Sequence, residues 1–156
     1  MNEYMEKATF AAGCFWHVEE VFSKTNGVKS TAVGYTGGHT DNPTYEDVCT
    51  DKTGHAEAIQ VEFDPAEISY SDLVKVFFEN HNPTTPNRQG PDIGIQYRSA
   101  IFCHNTEQEQ AAKEVKEKLN PFAQKTFGND IVTEIKSAST FYRAEEYHQK
   151  YFEKNY

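Results

Sequence analysis

Leucine is almost missing: Leu73 and Leu119 are the only two in 156 residues. Together with isoleucine, valine and phenylalanine it makes up about a fifth of the chain. With a formal net charge of −9, that places the composition inside the zone of disordered chains. Aromatic residues exclude disorder. Eleven Phe, nine Tyr and one Trp each bury a large area, so rings, Val and Ile replace a leucine core. Basic residues are also short, 15 against 24 acidic, which leaves no electrostatic footprint for nucleic acid or an anionic membrane. No apolar run approaches the ~20 residues that cross a bilayer, and Met1–Lys7 has no charged-then-apolar signal pattern. Cysteine occurs three times and never as C-x-x-C, so neither a paired-cysteine metal motif nor a thioredoxin motif is present. An odd count leaves at least one thiol free, metal-bound or reactive. These features predict one domain over residues 1–156 and a cytoplasmic protein with reduced thiols.

What is present reads in a clear order. Lys7–Ala11 predicts a strand, and Phe15, Val18, Val21 and Phe22 form a helical stripe after Gly13. Val28–Tyr35 predicts a second strand, followed by turn chemistry in Thr36–Pro43. Glu57–Phe63 alternates as a half-buried strand, and Leu73, Val74, Phe77 and Phe78 mark a helix over Ser71–Asn80. Asn82–Gly94, with three prolines, predicts an irregular loop, and Tyr97–Cys103 another strand. The order β-α-β-β-α-β predicts an α+β fold: a ferredoxin-like βαββαβ core, with a mixed or antiparallel sheet, helices packed on it and long irregular loops. Beyond it, Thr106–Leu119 predicts a helix opened by a Thr106/Glu109 capping box. A strand is expected over Ile131–Ile135 and a polar, aromatic helix over Phe141–Lys154.

Cys14 follows a strand and a glycine at the expected first turn of a helix, where unpaired N–H groups favour a thiolate. Against this stands the common fate of a free cysteine, a small buried hydrophobe. Phe15 and Trp16 place two rings beside the thiol, enough for an apolar pocket with a nucleophile at its edge. Glu57 shares strand parity with Ile59, Val61 and Phe63, the core face. Desolvation there raises a carboxyl pKa and leaves a general acid near neutrality. Tyr45 and Tyr97 flank turn-rich loops, where a phenol can donate to a polar substrate atom or simply pack. His55 reads as structural, although His55-Ala56-Glu57 matches half of a zinc deaminase signature whose P-C-x-x-C half is missing. A hydrolase using Cys14 with one of the histidines stays open on these residues, as does a module that only binds.

Gly13-Cys14-Phe15-Trp16 resembles the active-site signature of the A-type peptide methionine sulfoxide reductases. Gly34-Tyr35-Thr36-Gly37-Gly38 with Asn42-Pro43-Thr44-Tyr45, and Thr53-Gly54-His55-Ala56-Glu57, are similar to the family's next blocks. So are Phe77–His81, Gln89–Asp92 with Gln96–Ser99, and Glu146–Gln149. The ordered blocks span about residues 7 to 154. The resemblance implies reduction of the S epimer of methionine sulfoxide, in proteins or free, with Cys14 as nucleophile and Glu57 as proton donor. It further implies that Tyr45 and Tyr97 bond the sulfoxide oxygen, that Phe15 and Trp16 hold the methyl group, and that Asp92 orients substrate. It calls for no metal, flavin or nicotinamide. Its implied partners are oxidised proteins or peptides and a thiol reductant: glutaredoxin, glutathione or thioredoxin. Two departures stand out. His17 replaces the family's usual Gly, and Tyr156 is not followed by the glycine-rich tail with recycling cysteines that many members carry. A one-cysteine cycle is therefore expected, with an external thiol attacking Cys14 sulfenic acid and with Cys49 and Cys103 as bystanders.

Overall fold

The computed structural model describes residues 5–155. Met1–Tyr4, part of the Met1–Lys7 start read above for a signal pattern, and Tyr156 lie outside the described residues. In chain order the elements are β1 (Glu6–Ala12), α1 (Phe15–Ser23), β2 (Val28–Thr36), α2 (Tyr45–Cys49), β3 (Ala56–Phe63), α3 (Tyr70–Glu79) and the two-residue strands β4 (Arg88–Gln89) and β5 (Asp92–Ile93). A 3-10 turn over Ile95–Tyr97 leads into β6 (Ser99–Cys103), α4 (Thr106–Phe127), β7 (Glu134–Ser137) and β8 (Tyr142–Arg143). A second 3-10 turn, Glu146–His148, and α5 (Tyr151–Asn155) complete the order.

Six strands form one sheet in the order β7-β6-β1-β3-β2-β8. The inner four are antiparallel and in the ferredoxin-like arrangement, while β7 joins β6 in parallel. The sheet is thus mixed, and the expected α+β fold is present. Rings build its core. Phe10 of β1 stacks on Phe22 of α1 at 5.1 Å and on Phe77 of α3 at 5.2 Å, which fastens both helices to one face. The opposite face is lined by Ala11, Ala56, Ala58, Ala100 and Phe102, small enough for Phe141 and Ala138 to lie against it.

Several boundaries differ from the sequence reading. Tyr97 belongs to the 3-10 turn and β6 starts at Ser99. Helix α4 is capped by the Asn105 side chain, which accepts from Gln108 N–H, in place of the expected Thr106/Glu109 box. It continues through Pro121 to Phe127. The strand after it begins at Glu134, not Ile131. Residues 141–154 are largely extended or turn. They dock on β2 through side chains: Gln149 accepts from Val33 N–H and donates to the Val33 carbonyl, both at 2.9 Å, as a neighbouring strand would. Helical periodicity has no hold on a segment secured this way.

Gly34 is where that docking is tightest. A Cβ there would lie 2.3 Å from the Tyr142 carbonyl and 2.6 Å from the Phe141 ring. Gly34→Ala is expected to lower the urea midpoint at unchanged m, by overpacking worth about 1–3 kcal/mol. An unaltered midpoint in equilibrium unfolding would contradict the tight β2–β8 approach.

Candidate active site

Strand β1 ends at Ala12, and Gly13 turns the chain at φ +89° into α1. A side chain at Gly13 would strike Gln89 at 2.8 Å, so glycine serves both the turn and the close approach. Cys14 is the N-cap of α1, yet its thiol makes no cap bond. The Trp16 and His17 N–H groups face the sulfur and favour its ionised form. Burial outweighs them: with the charges of Glu57 and Asp92 adding to desolvation, the thiol is pushed up to about 11. The pull of the helix terminus toward a thiolate is thus present but outweighed. Desolvation of the half-buried sulfur favours the thiol over the thiolate.

The cap that Cys14 omits comes from across the sheet. Glu57, on the core-facing side of β3 and 1% exposed, accepts at Oε1 from Phe15 N–H at 3.2 Å. This bond satisfies one of the orphan amides at the start of α1 and fixes the carboxyl beside the sulfur. Burial pushes Glu57 up to about 7, against the pull of the Phe15 N–H.

Phenols and carboxyls close round this pair. Tyr45 opens α2, a five-residue helix with a Thr44/Asp47 capping box, and its hydroxyl is held against the Cys49 thiol. Tyr97, in the 3-10 turn, is pushed up to about 12 by burial, with Glu57, Asp92, Cys49 and Cys14 all adding to the rise. Burial and the nearby Glu57 likewise raise Tyr45. Both phenols thus keep their protons as donors. Asp92, half-buried on β5, acts electrostatically on Cys14, Glu57 and Tyr97.

The apolar wall is aromatic. Phe15 is buried against Tyr35, Tyr45 and His148. Trp16 is partly exposed, stacks on Tyr151 at 3.7 Å and donates from Nε1 to His148 Nδ1 at 2.9 Å. The fold therefore brings Cys14, Phe15, Trp16, Tyr45, Glu57, Asp92 and Tyr97 to one end of the sheet. His17 is exposed and borders Ala12, Val21 and Asn80. His55 is buried, accepting at Nδ1 from Gly38 N–H and bonding Thr40 O at Nε2, a structural role. Among the described residues, no group of three His, Cys, Asp or Glu is placed to hold a metal ion. No helix of the described residues is long and apolar enough to cross a membrane.

Three further residues, to which no local sequence pattern points, shape the site. His148 supports Phe15 and Trp16. Glu145 ties Tyr35 Oη and Tyr45 N–H together at 2.9 and 3.0 Å. Gln96 lies, 4% exposed, between Glu57 and Cys49. Gln96 and His148 fall inside the family-like blocks and Glu145 directly precedes one, so position in the chain was the available signal; their contacts span about 40 to 130 residues.

Residues 6–156 match the family model described as peptide methionine sulfoxide reductase. The chain is 61% identical over 150 residues to the peptide methionine sulfoxide reductase MsrA of Methanothermobacter thermautotrophicus, covering 96% of this chain and 88% of that one. It is 56% identical over 150 residues to the MsrA of Geobacter metallireducens, covering 96% and 91%. Among solved structures, methionine sulfoxide reductase A of Corynebacterium diphtheriae superposes with a TM-score of 0.94 at 39% identity, over 99% of this chain and 76% of that one. Mxr1 of Saccharomyces cerevisiae in complex with Trx2 superposes with a TM-score of 0.66 at 29% identity, over 94% and 84%.

Proposed function

The chain belongs to the peptide methionine sulfoxide reductase family, and on that premise we propose that it reduces methionine-(S)-sulfoxide, in proteins and free, through a Cys14 sulfenic acid. The observation that carries this reading is the 3.2 Å bond from Phe15 N–H to Glu57 Oε1, which anchors a proton-bearing carboxyl beside the Cys14 sulfur.

Phe15 and Trp16 hold the substrate methyl group, and Asp92 orients the rest of the side chain. Tyr45 and Tyr97 donate to the sulfoxide oxygen as its charge develops, and Glu57 protonates it. The Cys14 sulfur attacks the sulfoxide sulfur and forms an S–S bond to it. The protonated oxygen is then transferred from that sulfur to the Cys14 sulfur, the S–O and S–S bonds of the substrate sulfur both break, and methionine leaves. Cys14 is oxidised by two electrons and the substrate sulfur is reduced by two. The thiol proton replaces the one Glu57 gives up, so the sum is Cys14–SH plus sulfoxide to Cys14–SOH plus methionine. An external thiol then attacks the sulfenic sulfur, water leaves, and a second thiol frees Cys14. The neighbour solved with Trx2 supports a thioredoxin-type donor, with glutathione or glutaredoxin as the other thiol sources.

The test is incubation with dithiothreitol and each resolved epimer, with methionine measured. The S epimer is expected to turn over and the R epimer to be inert. Turnover of the R epimer alone, or of neither, overturns the proposal.

A further inference from the structure

Gln96 is buried at the back of the acid. One end of its side-chain amide lies 3.2 Å from the Val48 carbonyl and 3.2 Å from Asp51 Oδ1. The other end lies 3.5 Å from Glu57 Oε2 and 3.4 Å from Cys49 Sγ. A carbonyl and a carboxylate only accept, whereas a primary amide has two donor hydrogens on nitrogen and an accepting oxygen. The amide nitrogen therefore faces Val48 and Asp51, satisfying two acceptors with two hydrogens. Its oxygen then faces Glu57 and Cys49. Two oxygens at that spacing attract only with a proton between them, and the Cys49 thiol donates to the same oxygen.

We propose that Gln96 is a positioning residue that holds Glu57 in its protonated form by accepting the hydrogen bond from its carboxylic acid. The inference rests on the reading of Glu57 as the proton donor of the reaction. Burial alone makes a carboxyl reluctant to ionise, and the Phe15 N–H works against it by stabilising the anion. An amide oxygen aimed at Oε2 offsets that pull, because it stabilises the neutral acid and repels the anion. With the amide reversed, its N–H would stabilise the carboxylate, but its oxygen would then face the Val48 carbonyl and Asp51 Oδ1, which disfavours that orientation. Other groups face Glu57 as well. Asp92 raises it, and Cys14, Tyr35, Tyr45 and Tyr97 are neutral thiol and phenols at pH 7. Gln96 is the neighbour whose dipole is fixed from behind by two acceptors.

The experiment follows Glu57 directly. The protein is labelled with 13C at glutamate carboxyls and titrated by NMR, with Glu57→Gln assigning the resonance. In Gln96→Met, which keeps length and removes the amide, the Glu57 midpoint is expected to fall by about one pH unit, the scale of one lost hydrogen bond to the neutral form. A midpoint that stays or rises overturns the proposal, since a rise means the amide nitrogen had faced the carboxylate. The wild-type protein supplies a second reading should Gln96→Met not fold. Its Gln96 carbonyl carbon is expected to shift at the Glu57 midpoint while its side-chain N–H protons do not, and the reverse pattern overturns the assignment. Activity separates the two layers. If Glu57 is the acid, the Gln96→Met plateau in kcat/KM falls about tenfold with the one-unit shift. If the midpoint moves and kcat/KM does not, the inference about Gln96 stands and the role given to Glu57 fails.

Discussion

Glu57→Gln is expected to lower kcat/KM for methionine-(S)-sulfoxide by about 100-fold or more, the range lost when a positioned general acid is removed. The substitution keeps the shape. The amide oxygen of the new side chain still accepts from Phe15 N–H, and its nitrogen points at Gln96, so the start of α1 stays capped. Only the transferable proton is gone. The pH profile identifies the cause. With Glu57 at about 7 and Cys14 at about 11, the pair loses its first proton from Glu57. The reacting arrangement, thiolate at 14 and acid at 57, holds one proton, the same count as the dominant thiol and carboxylate. In the wild type kcat/KM therefore climbs as pH rises through about 7 and is level up to about 11. In Glu57→Gln the break at about 7 disappears, and the residual rate keeps climbing with Cys14 ionisation toward about 11. An unchanged profile would contradict the role of Glu57.

The same variant makes a stability prediction that needs no substrate. The folded protein keeps the Glu57 proton up to about 7, while the unfolded chain releases it near 4.5. Between those values the folded state binds more protons, so stability falls as pH rises, and the loss is complete above 7. The shift corresponds to about 3 kcal/mol of burial cost. Glu57→Gln removes it, so the variant is expected to be more stable than the wild type at pH 8 and closer to it at pH 4.5, as read by urea unfolding at the two pH values. A site that is costly to fold and necessary to react is what a functional carboxyl in a ring-lined core entails.

Glu57 was legible in the sequence because strand parity is local: Ile59, Val61 and Phe63 define the face, and residue 57 falls on it. The order of the core strands and helices was legible for the same reason. Helix α2 was not. Five residues are too few for a periodic signal, and its Thr44/Asp47 capping box is its one local mark. The passage of α4 through Pro121 was hidden as well, because Pro argues for a stop. What carries the helix on is tertiary: Ala123 is buried, and Asn120 Oδ1 accepts from Ile131 N–H at 2.7 Å. The helix N-terminus that favours a Cys14 thiolate is visible in sequence, whereas the desolvation that opposes it is not. Gln96 and His148 act through contacts made only when distant loops meet, so their chemistry appears only in the fold.

Cys14→Ser is expected to reduce turnover to the rate of the reductant alone while binding of methionine-(S)-sulfoxide persists, because the aromatic wall of Phe15, Trp16 and Tyr151 does not depend on the sulfur. A module that only binds would lose nothing, and a hydrolase would lose cleavage of amides or esters without any thiol added. The wild-type protein answers the remaining question, the fate of the oxidised sulfur. Given one equivalent of substrate and no reductant, free thiols are expected to fall from three to two, with one methionine formed and the sulfenic acid trapped by a 1,3-dione. Geometry supports two survivors. Cys103 ends β6, and the β1–β6 register, Thr9 opposite Phe102 and Phe10 opposite Ile101, sets it level with Ala8. The strand from Ala8 to Ala12 spans roughly 13 Å before Gly13 turns the chain toward Cys14, well beyond the reach of a disulfide. Cys49 is the nearer thiol, engaged by the Tyr45 hydroxyl and the Gln96 amide at 3.4 Å. A fall from three to one would therefore name Cys49 as the resolving partner and replace the one-cysteine cycle, whereas two remaining thiols leave the sulfenic acid for an external donor.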